Sequence, residues 1–429
     1  MYARLFLAGL CVLGLGASIQ SDVGNTASCP WGPLLASRGY DHQFTCAAPQ
    51  QQQPKQPQTR QADRREAQTP ELWDERDGPY QQAQGYGVLP QWQGPEHCAT
   101  EFCLFSNREA GEGIALITTA RNAYLASNYV PSPTTGVEPT AYYEAEVPGK
   151  GRGLIANRTI RRGEIIMQRL PVLLIQMTPH VNLDPELREQ LYQAAVDRLP
   201  EPTRARFMRQ MGATVYDKVE KNSFRMFVDD SLHLGMFPDV SKFNHDCRPN
   251  VHYRINNLTH TAIAVRDIPR GEELTISYIY PLAPLSTRQT QLRDWDFTCT
   301  CAQCTLPATA SAQSDARIRQ IAALEDEIEA IMARPGAPGL RPAMGIRLIE
   351  LHLEERLHAY LGPAYTRAAI IAAMFGDEAR AREYAAEAAL ALEREVGPHA
   401  KDAKAMRRLA DDVRGHWAWG LKVEGQRPL

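Results

Sequence analysis

Three thiols crowd into six residues at Cys299-Thr-Cys301-Ala-Gln-Cys304, and a fourth, Cys247, stands upstream inside FNHDCRPN, residues 243–250. A C-x-C pair closes a ring too tight for ordinary disulfide geometry. Close thiolates instead suit one tetrahedral zinc ion, which takes four nitrogen or sulfur ligands in a structural site. Cys247 is the remaining cysteine of the downstream half, and as the fourth ligand it makes FNHDCRPN a junction with the later segment. Two weaker signals accompany the thiols. GKGRGLIA, residues 149–156, alternates Gly149, Gly151 and Gly153 with Lys150 and Arg152. Glycines there allow a close approach to a ligand or a positive φ, yet the stretch lacks the Gly-Lys-Ser/Thr ending of a P-loop. GEELTISYIY, residues 271–280, carries Tyr278 at the end of a predicted strand. Taken singly, a glycine-rich turn is most often only a turn, and a strand tyrosine most often only packs.

These residues need elements to hold them. From Tyr142, short apolar runs alternate with Gly and Pro turns, the texture of strands. DPELREQLYQAAVDRL and EPTRARFMRQM have helical spacing with acidic starts, so 184–235 reads as helical. Strands resume at VHYRINNLTHTAIAVRDI and EELTISYIY, with the turn PRGE between them. From Ala312 to about Ala418 the chain is rich in Ala, Leu, Glu and Arg and reads as helices broken by Gly and Pro. Within it, YTRAAIIAAMFGDEARAREYAAEAALALE has the texture of a packed antiparallel helix pair, without a clean repeat register.

The 429 residues exceed one typical core, so two or three globular units are expected. A formal net charge of −3 lacks the basic excess of a nucleic-acid-binding domain, and direct nucleic-acid binding is not expected. The first residues, MYARLFLAGLCVLGLGASIQSD, have the charged start, apolar core and small-residue end of a secretory signal peptide, and the apolar run is short for a membrane span. Cys29, Cys46, Cys98 and Cys103 are an even set that two disulfides would satisfy in a secreted chain. Residues 47–97 are rich in Gln, Pro and charge, a composition that buries too little surface to offset ordering entropy. Sequons at Asn157-Arg-Thr and Asn257-Leu-Thr fall inside predicted strands and are weak evidence for a carbohydrate.

In the order GKGRG, NHDCRPN, GEELTISY, CTCAQC, the four stretches resemble the SET-domain protein lysine methyltransferases, whose pattern is GxGxG, NHxCxPN, GEELxxxY and a post-SET CxCxxC. The match covers about residues 140–306. The helical end is similar to that of SMYD-like members, and the layout resembles fungal SET proteins with a signal-like start. SMYD-like proteins interrupt the SET region with a cysteine-rich MYND finger; residues 176–240 here contain no cysteine. Ser277 stands where the family often has Asp.

The resemblance implies an α+β SET β-clip fold of small twisted sheets with a threaded-loop pseudoknot. The expected order is a signal-like segment at 1–20, a Cys-containing segment at 21–46, a disordered linker at 47–97 and an ordered pre-SET segment at 98–139. A SET domain at 140–281 follows, with a helical insert at about 180–235, then a zinc-bound post-SET segment at 282–306 and an all-α region at 312–418. The implied methyl donor is S-adenosyl-L-methionine, bound by Lys150, Gly151, Arg152, Gly153, Asn244, His245 and the adenine-stacking Phe297. Tyr278 is the implied catalytic residue, and Cys247, Cys299, Cys301 and Cys304 the implied ligands of one structural zinc. The partner is a protein bearing a lysine. The alternatives are a catalytically silent SET-fold binding module and a secreted zinc- and disulfide-bearing structural protein. The start of the chain points to the secretory route, the family to the nucleus or cytoplasm.

Overall fold

Alternating apolar residues in a half-buried strand and a 3.6-residue apolar period in a helix are the two patterns that build this chain. The computed structural model describes residues 92–129, 141–293, 295, 297–334 and 338–423. The signal-like segment, Cys29, Cys46 and most of the Gln/Pro-rich stretch lie outside them. Among the described residues no helix is long and apolar enough to cross a membrane.

The described residues form two units. One comprises residues up to Asn244 together with Tyr253–Thr275; the other comprises His245–His252 and the chain from Ile276 onward. FNHDCRPN is therefore a crossing point: the chain changes unit after Asn244 and returns at Tyr253.

In the first unit, strands β1 (Gln93–Ala99), β2 (Phe102–Asn107) and β3 (Ile114–Thr118) precede helix α1 (Ala120–Ser127). Strands β4 (Tyr142–Val147), β5 (Gly151–Ala156), β6 (Ile165–Arg169) and β7 (Leu173–Gln176) follow. Four helices come next: α2 (Met177–Asn182), α3 (Pro185–Asp197), α4 (Glu201–Met208) and α5 (Val215–Asn222). Then come β8 (Ser223–Val228), β9 (Ser231–Met236) and β12 (Thr259–Ala264), while the short β10 (Asn244–His245), β11 (Val251–Asn256) and β13 (Glu273–Ile276) each run across a point where the chain changes unit. They make a six-stranded sheet of order β1-β2-β3-β7-β9-β8, a four-stranded sheet β10-β13-β5-β4 and a three-stranded sheet β11-β12-β6.

Helix α3 begins where it does because Asp184 accepts the Glu186 amide at 2.9 Å and Pro185 supplies a preset φ at the first turn. Its buried side, Leu191, Tyr192, Ala195 and Val196, packs with Phe207, Val215 and Val219 of α4 and α5. All of these rest on Leu104, Ile117, Leu173, Ile175 and Leu234 of the six-stranded sheet.

Three expectations are corrected. The helical reading of 180–235 stops at Asn222: 223–228 and 231–236 are a strand pair turning at Asp229, whose φ is 51°. The period changes from helical to alternating there, and β8 buries Met226 and Val228 on alternate positions. Gln93–Ala99, at the end of the stretch expected to be a linker, is a strand that pairs antiparallel with β2, and a disulfide joins Cys98 to Cys103. Both sequons lie in turns rather than strands: Asn157 follows the last residue of β5, and Asn257 sits between β11 and β12.

The second unit holds α6 (Leu285–Arg293), α7 (Ala308–Met332), α8 (Pro342–Glu354), α9 (Leu361–Met374), α10 (Glu378–Glu395) and α11 (Lys401–Asp411). The helical region expected from Ala312 starts at Ala308, and α6 lies inside the segment 282–306, expected to be a zinc-bound stretch. Alanines let the helices approach closely: Ala381, Ala385, Ala388 and Ala389 of α10 are buried in the common core with Ile370, Ile371 and Leu392. Gly345 of α8 passes so near α9 that a Cβ there would lie 2.8 Å from the Cα of Ala368. The antiparallel pair read at 365–393 corresponds to α9 and α10.

Candidate active site

In the first unit, the glycine-rich stretch is the turn between β4 and β5 and the start of β5. Its glycines are required for two different reasons. Gly151 adopts a φ of 73° with open space around it, so backbone conformation alone demands glycine. At Gly153 the demand is proximity: a Cβ would stand 2.7 Å from Asn244 Nδ2 and 3.0 Å from Glu273 Oε1. Glu273 is the centre of this group. It accepts Lys150 Nζ at 2.6 Å and Asn244 Nδ2 at 2.8 Å, while the Asn244 amide also reaches the Arg152 carbonyl at 3.3 Å. Lys150, Arg152, Gly153 and Asn244 are therefore gathered in one place, with Gly151 in the same turn. The Arg152 side chain itself points outward, toward Glu144 at 3.2 Å. Sequence reasoning quoted Glu273 inside GEEL without giving it a role; two adjacent glutamates before a strand carry no mark of which one turns inward.

In the second unit, His245 holds the centre. Its Nδ1 accepts the backbone N–H of Tyr278 at 3.0 Å, which leaves the proton on Nε2, 3.3 Å from Cys247 Sγ. The ring thus ties the backbone at Tyr278 to the thiol cluster. Tyr278 lies two residues beyond the end of β13 rather than within it, in a turn where the Ser277 hydroxyl donates to the Ile279 carbonyl at 2.6 Å. Ser277 thereby has a local task that an acidic residue is not needed for. Rings surround the tyrosine: Trp295 at 4.8 Å between centroids, His245 at 5.4 Å and Phe297 edge-on at 6.3 Å. Phe297 remains 37% exposed, so it offers a face against which a flat ligand could lie.

The four sulfur atoms of Cys247, Cys299, Cys301 and Cys304 lie within 4.8 Å of one another, and Cys247 Sγ is 3.5 Å from Cys304 Sγ. A tetrahedral zinc with Zn–S bonds of about 2.3 Å spaces its sulfurs roughly 3.8 Å apart, so the set fits that ion. The electrostatics agree. Hydrogen bonding with Cys299, Cys301 and Cys304, together with burial, pushes the Cys247 thiol up, while Cys247, Cys299 and Cys304 pull Cys301 down. Four thiols this close share protons among themselves, and a divalent cation is what permits all of them to ionise together. Leu292, Ile279 and Trp295 pack around the sulfurs and shield them.

A further network anchors the same segment and was not foreseen. Arg248 is buried, and its guanidinium donates to the Cys247 carbonyl at 2.8 Å, the Pro281 carbonyl at 3.1 Å and the Glu355 carboxylate at 2.6 Å. Glu355 also accepts Ser314 Oγ at 2.7 Å and Arg317 Nε at 2.6 Å. Burial would raise the Glu355 carboxyl, but the hydrogen bonds from Arg248 and Ser314 hold it below the ordinary carboxylate range. A glutamate at the end of α8 gives no sequence sign of a partner in FNHDCRPN.

Residues 151–279, which include FNHDCRPN and Tyr278, match the SET domain family. The relatives are methyltransferases by name. Over 119 residues the chain is 34% identical to N-lysine methyltransferase SMYD2-B of Danio rerio, covering 27% of each. Over 94 residues it is 39% identical to N-lysine methyltransferase SMYD2 of Homo sapiens, covering 21% of this chain and 22% of that one. Over 100 residues it is 35% identical to Histone-lysine N-methyltransferase SET5 of Meyerozyma guilliermondii, covering 21% of each. The chain thus matches between 21% and 27% of the length of these relatives.

Proposed function

We propose that the chain transfers a methyl group from S-adenosyl-L-methionine to a lysine ε-amine of a protein. The observation that carries this reading is the 3.0 Å bond from the Tyr278 backbone to His245, which joins the NHDCRPN and GEELTISY stretches around one tyrosine. The donor is a sulfonium whose methyl carbon is electrophilic, so it brings the chemistry with it. The lysine must arrive as a neutral amine, and desolvation lowers its pKa toward that state. In the proposed step the amine lone pair forms the N–C bond as the C–S bond breaks, the electron pair stays on sulfur, and the amine nitrogen then releases a proton to solvent. Tyr278 Oη acts as an acceptor that aligns amine and methyl, and most of the acceleration is positional. The donor is assigned to Lys150, Gly151, Arg152, Gly153, Asn244, His245 and Phe297, its methionine part to the backbone around Lys150–Gly153 and its adenine to Phe297. Zinc on the four cysteines holds the segment around Phe297 and Tyr278; metal analysis should return one zinc per chain, with Cys301→Ser lowering it.

The test is transfer of labelled methyl from the donor to histones, ribosomal proteins and whole-cell extract, with the product residue identified by mass spectrometry. Label on lysine supports the reading. Donor binding without transfer to any protein would replace it with a SET-fold binding module.

A further inference from the structure

We propose that Asn157 and Asn257 carry N-linked oligosaccharide. The chain has two Asn-x-Thr sequons, and both asparagines are exposed just beyond a strand end or in a turn, where an oligosaccharide would meet no core. At the tip between β11 and β12, Asn257 and Leu258 have φ values of 47° and 65°, the two consecutive left-handed residues of a tight hairpin turn. That turn sends the Leu258 side chain inward, where it is 1% exposed, and leaves Asn257 outside. Asparagine's tolerance of positive φ explains the choice of Asn257 by itself. It does not explain the threonine two positions on, nor Asn157, which is not among the positive-φ residues. At Asn157 the backbone N–H is held by the Ala141 carbonyl at 3.0 Å, and Arg158 is held by Glu164, so the turn is fixed at an exposed asparagine.

A second observation fits the compartment this requires. Cys98 and Cys103 are joined across β1 and β2, and disulfides persist in oxidising compartments such as the secretory route. The chemistry balances with a lipid-pyrophosphate-linked oligosaccharide as donor. The asparagine amide nitrogen forms a bond to the anomeric carbon, the carbon–oxygen bond to pyrophosphate breaks, the pyrophosphate lipid leaves with that electron pair, and the amide loses one proton. A bulky substituent at either site meets solvent rather than core.

The test uses the full chain made in eukaryotic cells. Digestion with peptide N-glycosidase should increase its gel mobility, and Thr159→Ala and Thr259→Ala should each remove one part of that shift, the double variant all of it. Asn157→Gln and Asn257→Gln provide the same readout should a threonine change disturb folding. Mass spectrometry should find both asparagines converted to aspartate after digestion, in chains whose Cys98–Cys103 peptide is oxidised. Unchanged mobility, with both asparagines unmodified, would overturn the proposal.

Discussion

The Tyr278 hydroxyl and the Tyr278 backbone have separate duties. The backbone N–H secures the turn through His245, and in the proposed transfer only the hydroxyl takes part. Tyr278→Phe therefore keeps the ring against Trp295 and the bond to His245. Donor affinity measured by calorimetry should hardly change, while turnover falls about a hundredfold or more, the usual cost of one lost transition-state hydrogen bond. Full-rate transfer by that variant would remove the tyrosine from the centre of the mechanism. Residue identity at FNHDCRPN was legible because metal and hydrogen-bonding chemistry permit few side chains there. Glu273, Arg248 and Glu355 were not legible, since each works through a partner brought close only by folding.

Elements show the same division. The turn into β5 was readable as glycine-rich, but which constraint each glycine answers required the distances. Gly153→Ala should displace Asn244 and Glu273 and weaken donor binding, whereas Gly151→Ala should mainly cost stability, about 1–2 kcal/mol for a left-handed non-glycine residue. Denaturant titration and calorimetry of the two variants separate these outcomes. In the six-stranded sheet, His233 of β9 is fully buried, with Nδ1 against the Ser231 carbonyl and Nε2 against the Thr118 hydroxyl, both at 2.9 Å. Burial lowers its pKa to about 4. An unfolded chain takes up that proton near pH 6.5, the folded chain only near 4, so stability is full above about 6.5 and is lost as pH falls between those values. The group's share is about 3 kcal/mol. Urea midpoints measured across this range should drop with acid, and His233→Gln should flatten the slope. The β8–β9 pair that carries His233 was read as helix, because its strands follow a helical run without a Gly or Pro break.

At the scale of the molecule, the helical end of the chain is more than an appendage. Glu355, at the end of α8, satisfies a guanidinium that also holds the Cys247 and Pro281 carbonyls. Removing one partner of a buried ion pair costs about 3–5 kcal/mol, because the other charge is left without compensation. Glu355→Ala should therefore lower stability by about that much and speed zinc loss to a chelator. Arg248→Met combined with Glu355→Met should be milder than the two single changes added together. The helices themselves were readable from composition, and their pairing at α9 and α10 from the small-residue pattern. Their link to FNHDCRPN was not, since nothing local in either stretch encodes it.

The same link fixes an order in time. Glu355 follows Arg248 by 107 residues. At a synthesis rate of about 5–20 residues per second, Arg248 is added to the chain roughly 5–20 s before its carboxylate partner. Cys304, 57 residues after Cys247, also arrives before Glu355. During birth the thiols are thus complete as a set while the arginine beside them still faces water. Metal capture can come first, and closure of the segment waits for the late-made helix. A ribosome stalled between Cys304 and Glu355 would hold a nascent chain that has all four thiols but no carboxylate for Arg248.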